Sequence, residues 1–256
     1  MELFHKELGN GEKSIIILHG LFGSSDNWQN IGKVLSERSK VYLVDLPNHG
    51  RSLHTDNFTY EVMREEVHKF IEQHQIEQPI LMGHSMGGKV AMHVALEYSH
   101  LLSKLIVVDI CPKYYPVHHD RILEGLTSIN LHTITSRQEA DEQLARYERS
   151  STVRAFLLKN LYRTEEGNFA WRLNLPVIND QIENVGEAIQ TNNVFERPVL
   201  FINGAKSDYI NKEDTALIHQ FFPGAVVETI SGAGHWVHAE KPEEFLSIIN
   251  NFIEMP

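Results

Sequence analysis

The sequence predicts an α/β protein: an open, mostly parallel, doubly wound sheet flanked by helices. Two observations carry this reading. Short β-branched runs alternate with longer stretches of helical periodicity along most of the 256 residues. The runs are also continuously apolar rather than alternating, as expected of strands covered on both faces in a parallel sheet. A third observation is a break in the rhythm between about residues 112 and 195, which predicts a helical insertion.

Six strands are expected. Residues 15–18 read Ile-Ile-Ile-Leu, and similar runs follow at 40–45, 79–83, 104–109, 198–202 and 225–230. Helices are expected near 26–38, 59–75, 86–98, 211–222 and 241–254. Thr59 is placed to cap the second, whose apolar stripe is Val62, Val67, Phe70 and Ile71. Asn211 is placed to cap the fourth, with Glu213 and Asp214 in the first turn, where a carboxylate suits the helix dipole. Alternation of this length implies right-handed crossovers and one domain over residues 1–256. Within 112–195, Gln138 to Tyr147 and Ser151 to Tyr162 read as helices, and no strand pair is evident. The segment is rich in aromatics, including Tyr114, Tyr115, Phe156 and Trp171. Open α/β sheets bind ligands at the carboxyl ends of their strands, so a helical cap over 112–195 would roof such a site.

Composition narrows the function. There are 23 Lys and Arg against 34 Asp and Glu, a formal charge of −11, and no basic run, which argues against a nucleic-acid partner. Cys111 is the single cysteine, so neither an intrachain disulfide nor a Cys-x-x-Cys metal site is expected. No apolar stretch approaches the roughly 18 residues of a membrane span. The residues from Met1 to Lys6 lack a basic head followed by a long apolar run, so a cytoplasmic location is expected. Nothing in the sequence specifies an oligomeric state.

The chemistry is expected at residues 83–87, Gly-His-Ser-Met-Gly, between an apolar run and a helical pattern. A serine on such a strand-to-helix turn is pushed out of the sheet, and only very small residues fit two positions to either side. Ser85 is the predicted nucleophile, and Gly88 lets the following helix pack closely. A serine needs a base and backbone donors for the oxyanion. Of 15 histidines, His235 is the favoured base, because Gly232-Ala233-Gly234 frees its loop after the last predicted strand. His238 is the rival, and His84 is read as structural. Met86, at the start of a helix, and Leu21, in His19-Gly20-Leu21-Phe22-Gly23, are the expected oxyanion N–H groups, with Phe22 as the next choice. Asp109 and Asp208 both keep the order serine, acid, histidine and remain alternatives for the acid, whereas Asp45 precedes the serine. Phe22, Trp171 and Trp236 are expected to contact substrate.

Taken together, these segments resemble the α/β-hydrolase superfamily over nearly the whole chain. More narrowly they resemble the small bacterial esterases typified by YbfF and the related mammalian ABHD proteins. The shared segments are His-Gly-Leu-Phe-Gly-Ser at 19–24, Asn-His-Gly at 48–50, Gly-His-Ser-Met-Gly-Gly-Lys at 83–89, Val-Asp-Ile at 108–110, Trp-Arg-x-Asn at 171–174 and Gly-His-Trp-Val-His-Ala-Glu-Lys-Pro at 234–242. The superfamily's commonest acid position, three residues after the glycine ending the seventh strand, holds Ser207 here. YbfF-like esterases draw the acid from the end of the preceding strand, so the resemblance ranks Asp109 first and Asp208 second. It implies a serine hydrolase of carboxylic esters or thioesters with short to medium acyl chains, acting without metal or organic cofactor on a small-molecule ester. Carbon–carbon bond hydrolases, lyases and non-turnover ligand receptors share the fold and are the alternatives.

Overall fold

The computed structural model describes residues 2–255. Its centre is a seven-stranded sheet in the order β1-β3-β2-β4-β5-β8-β9. The strands are β1 (His5–Leu8), β2 (Lys13–Leu18), β3 (Ser39–Val44), β4 (Ile80–His84), β5 (Lys104–Val108), β8 (Val199–Gly204) and β9 (Ala225–Ile230). β1 runs antiparallel to β3, and every other pairing is parallel. Successive side chains on a strand point to opposite faces, and both faces are covered. Ile16, Leu18, Leu105, Val107 and Phe201 pack under α2 (Tyr60–Gln73), α3 (Met86–Glu97) and α8 (Thr215–Phe221). Their neighbours Ile15, Ile17, Ile106, Val108 and Ile202 pack on the other side under α1 (Gln29–Leu35) and α10 (Pro242–Glu254). The continuous apolar runs have this cause: each of the inner strands β2, β3, β4, β5 and β8 serves two cores.

Differences from the expected elements have local reasons. β1 is half-buried, carries Lys6 and Glu7, and offers no apolar run to read. β9 is an edge strand with solvent on one side, so Val226, Glu228 and Thr229 are not in either core. The expected helix at 26–38 begins as a 3-10 turn, Ser25–Trp28, before α1. Thr59 caps α2 as expected, accepting from the Val62 N–H at 3.3 Å. Asn211 opens a 3-10 turn ahead of α8, and its own N–H donates to the Asp214 carboxylate at 2.8 Å.

Between β5 and β8 the chain forms α4 (Asp120–Ser128), α5 (Arg137–Leu144), α6 (Ser151–Leu157), a two-stranded antiparallel sheet of β6 (Leu161–Arg163) and β7 (Phe169–Trp171), and α7 (Leu175–Asp180). The strand pair corrects the expectation that none is present there, and α6 stops well before Tyr162. Three-residue strands are too short to show a period, and their turn depends on Gly167 at φ +84°. Lys104, buried at the start of β5, donates to the carbonyls of Phe252 and Ile253, satisfying the end of α10 where a cation also suits the dipole. The remaining short helix, α9 (Val237–Glu240), leads into α10.

Four histidines, His19, His49, His84 and His238, are packed beneath the carboxyl edge of the sheet. Burial lowers His19 to about 4 and His49 and His238 to about 3, and holds His84 well below its ordinary 6.5. These rings are therefore neutral in the fold, and His238 stacks on Trp28 at 4.0 Å with its Nδ1 unpaired. In the unfolded chain each takes up a proton near 6.5, so below that pH the unfolded state binds more protons and gains. Their contribution is constant above about 6.5 and is lost as pH falls toward 3–4. Unfolding free energy measured in urea should fall between about pH 6.5 and pH 4.5, and His238→Phe should make the decline shallower by up to about 1.4 kcal/mol per pH unit. Identical slopes for wild type and variant would show that His238 is not held neutral.

Candidate active site

Ser85 sits between the end of β4 and the first residue of α3 at φ 52°, ψ −120°, a backbone conformation a serine adopts only under constraint. The constraint is backbone packing on both sides. A Cβ on Gly83 would lie 2.1 Å from the Gly87 carbonyl oxygen, and one on Gly87 would lie 2.4 Å from that of His19. Gly88 faces Ile110, where a Cβ would meet Cγ2 at 2.6 Å. The Ser85 N–H donates to the Val108 carbonyl at 2.9 Å, so the turn is tied to the neighbouring strand.

His235 lies on the loop between β9 and α9, and its side chain is partly exposed. Its Nδ1 is 2.7 Å from Oδ2 of Asp109, a carboxylate with no solvent exposure. An ionised carboxylate accepts only, so Nδ1 carries the proton and Nε2 is the free acceptor. Asp109 follows β5, also at positive φ (52°), and its other oxygen accepts from the Gly204 N–H at 3.0 Å. The Ser207 hydroxyl donates to Oδ2 at 2.5 Å. The Tyr209 ring stacks on the His235 imidazole at 4.2 Å and 20°. Tyr209 is held in turn by the Tyr115 hydroxyl, which donates to its carbonyl and accepts from the Cys111 N–H at 2.9 Å. Asp208 is exposed, and among the described residues the carboxylate hydrogen-bonded to His235 is that of Asp109. Asp45 braces a loop, accepting from the N–H groups of Ser25 at 2.6 Å and Arg51 at 2.8 Å. His84 donates from Nε2 to the His235 carbonyl at 2.8 Å; since a carbonyl only accepts, Nε2 is the protonated nitrogen.

Ser85 and His235 open into one cavity of about 400 Å³. Its walls come from the sheet edge (Leu21, Phe22, Met86, Ile110) and from the segment above (Val117, Ile122, Val153, Phe156, Leu157), with Trp236 beside the histidine. Trp171, expected to contact substrate, is not on this wall; its strand pairs with Leu161 in the small hairpin. Met86 provides the first N–H of α3, one of those a helix leaves without an internal acceptor. In the turn 20–23 the Gly23 N–H closes onto Gly20 O at 2.9 Å, and the Phe22 N–H donates to His49 Nε2 at 3.3 Å. Phe22 is therefore engaged, whereas the Leu21 N–H has no hydrogen-bond acceptor among the described residues. The same turn touches the serine: a Cβ on Gly20 would lie 3.3 Å from Ser85 Cβ.

Ser207, Tyr209 and Lys89 escaped identification from sequence as parts of this site. Ser207 had one usable signal, its place at the superfamily's usual acid position. Lys89, on α3, is fully buried and donates to the Gly186 and Glu187 carbonyls, and burial lowers its ammonium to about 8. It ties the helix that follows Ser85 to the chain returning from the upper segment. Among the described residues no helix is long and apolar enough to cross a membrane, and no cluster of three metal-binding side chains occurs.

Comparison with known proteins agrees with this architecture. Residues 13–125 match the family model for the alpha/beta hydrolase fold. The sn-1-specific diacylglycerol lipase ABHD11 of Xenopus laevis is 41% identical over 248 residues, 94% of this chain and 79% of that one. Esterase YbfF of Escherichia coli is 34% identical, covering 93% of this chain and 92% of YbfF. A marine microorganism esterase of known structure superposes with a TM-score of 0.96 at 41% identity, covering 98% and 99% of the two chains. With these likenesses over almost its whole length, the chain belongs to the α/β-hydrolase family, as a YbfF-like member.

Proposed function

We propose that the protein is a serine hydrolase that cleaves carboxylic esters or thioesters of short to medium acyl chain. The observation that carries this reading is the 2.7 Å contact between buried Asp109 and His235, on a histidine that shares one apolar cavity with Ser85. The names of the relatives, a lipase and two esterases, support the same bond type.

In this mechanism Ser85 Oγ attacks the ester carbonyl while His235 Nε2 takes its proton. Asp109 keeps Nδ1 protonated and stabilises the imidazolium, and the stacked Tyr209 ring adds its electron-rich face. The tetrahedral oxyanion is held by the N–H groups of Leu21 and Met86, each worth about 3 kcal/mol in the transition state. His235 passes its proton to the leaving alcohol or thiol. Water then attacks the acyl-enzyme, gives a proton to His235, and the collapsing intermediate returns Ser85 and releases the acid. Ser207 donates to the oxygen of Asp109 that also receives His235, fixing the carboxylate without competing for the base. The segment 112–195 acts as a cap, and its Val153, Phe156 and Leu157 line the acyl side. A cavity near 400 Å³ lies toward the small end of ligand sites, which suits short to medium chains.

Two experiments test this. On p-nitrophenyl esters from C2 to C12, Ser85→Ala should abolish turnover, and Asp109→Asn should lower kcat by roughly 10⁴-fold. Asp208→Asn should stay within about two-fold of wild type, since an exposed side chain off the site contributes little. The reverse order for the two aspartates would exchange their roles, and a wild type as inert as Ser85→Ala would sink the ester-hydrolase reading. Separately, Phe156→Ala should move the best substrate to a longer chain by enlarging the cavity beside Trp236, which Phe156 meets at 5.9 Å between ring centres. An unchanged chain-length profile would place the acyl group elsewhere.

A further inference from the structure

The turn that carries the Leu21 N–H is gripped by two buried side chains that have no part in the chemistry above. Its third residue, Phe22, has φ +59°, a conformation that a bulky residue keeps only when its surroundings hold it. Both ends of Phe22 are held. Its N–H donates to His49 Nε2 at 3.3 Å, and its carbonyl accepts from Asn160 Nδ2 at 2.8 Å. His49 is fully buried, and its Nδ1 lies 3.0 Å from the Pro47 carbonyl. A carbonyl only accepts, so Nδ1 carries the proton and Nε2 is left as the acceptor that Phe22 needs. Asn160 is 3% exposed and spends a second amide bond on Leu157 O at 3.1 Å.

The two grips come from different parts of the fold. His49 belongs to the loop after β3, at the sheet edge. Asn160 lies between α6 and β6, in the segment above the sheet. α6 also supplies Val153, Phe156 and Leu157 to the cavity wall. We propose that His49 and Asn160 are positioning residues of the oxyanion site. By holding the two ends of Phe22 they aim the Leu21 N–H at the reacting carbonyl, so seating of the upper segment and competence of the oxyanion site are one event. The proposal rests on the serine-hydrolase reading.

The physical reason is geometric. An oxyanion donor acts only when it lies about 2.7–3.1 Å from the oxygen's position in the transition state. Release of either end lets Phe22 relax toward negative φ, which turns the preceding peptides and swings the Leu21 N–H away. The charge being stabilised develops in the transition state, so the loss belongs in kcat rather than KM.

The test uses full-length protein carrying Asn160→Ala, Asn160→Asp, Asn160→Ser, His49→Leu or His49→Gln. Turnover is measured on p-nitrophenyl butyrate and octanoate, and inhibition with an aliphatic trifluoromethyl ketone, whose hemiketal places an oxyanion in the site. Asn160→Ala and His49→Leu should each lower kcat by roughly 10- to 100-fold, less than outright loss of a donor. KM should stay within about two-fold, the two chain lengths should suffer equally, and the ketone should weaken in step with kcat. Asn160→Asp should do no better than alanine, because a carboxylate cannot donate to the Phe22 carbonyl. His49→Gln should recover most of the activity, because its amide oxygen can accept from the Phe22 N–H. Unchanged kcat in both truncations overturns the proposal. So does a loss that sits in KM and differs between chain lengths, or a glutamine no better than leucine. Hydrogen exchange of residues 20–23 supplies a readout independent of turnover. It should quicken in Asn160→Ser, the mildest replacement, and in His49→Leu, with melting temperatures near wild type. Unchanged exchange overturns the proposal even if no ester is cleaved, whereas inert wild type with quickened exchange would fail the ester-hydrolase reading and leave the grip on the turn intact.

Discussion

The close approach of backbone to backbone at Gly83 and Gly87 is the constraint on which the rest of the structure depends. With no side chain at either position, the end of β4 and the start of α3 come within reach of each other and of the His19 carbonyl. That contact forces Ser85 to φ 52° and turns its side chain out of the sheet into the cavity. It also brings three strand ends together. β2 delivers the turn 20–23, β4 delivers the serine, and β5 delivers Asp109, with Ser85 N–H bonded to β5 itself. The parallel register is what makes this possible, because all three strands reach the same edge at the same level.

Most of the loop ends at this edge are tied together by hydrogen bonds to buried side chains. His19 accepts the Leu46 N–H, Asp45 accepts two more, and Asn48 is tied to Asn174 and Thr55. Each bond is modest by itself, about 1 kcal/mol net, but each left unmade in a buried loop would cost more. The histidines fit this role because burial keeps them neutral, so each offers one donor and one acceptor in fixed directions. Asn48 and Asn174 join the Asn-His-Gly and Trp-Arg-x-Asn segments. Trp171 thus belongs to a segment that docks on the sheet through Asn174, away from the cavity wall.

How much was legible follows from the kind of signal each part leaves. The strands that serve two cores were legible because burial on both faces demands unbroken apolar runs. β1 was not, because an edge strand with charged side chains has no such demand, and β6 and β7 were too short to carry a period. Ser85 and His235 stood out through their glycine frames, since glycine marks where backbone must pass close to something. The carboxylate left no comparable mark. Asp109 and Asp208 both follow strands, and local sequence does not separate a buried oxygen 2.7 Å from an imidazole from an exposed side chain.

The position of that carboxylate has a physical logic. β5 and β8 are neighbours, so a side chain leaving the end of either can reach the loop that holds His235. Ser207, on the β8 side, hydrogen-bonds the same Asp109 oxygen that meets the histidine, and Gly204 N–H holds the other. On the proposed reading the β8 loop gives up the charge and keeps a supporting role, as a neutral donor to a carboxylate anchored one strand away. Two carboxylates at this spot would repel and raise one another's pKa. A hydroxyl avoids that conflict and still fills a lone pair that would otherwise be buried without a partner. The exchange works only because Asp109 is itself held at positive φ, with its N–H bonded to the Ile202 carbonyl. Backbone strain at the strand end thus places the charge, as it places the serine.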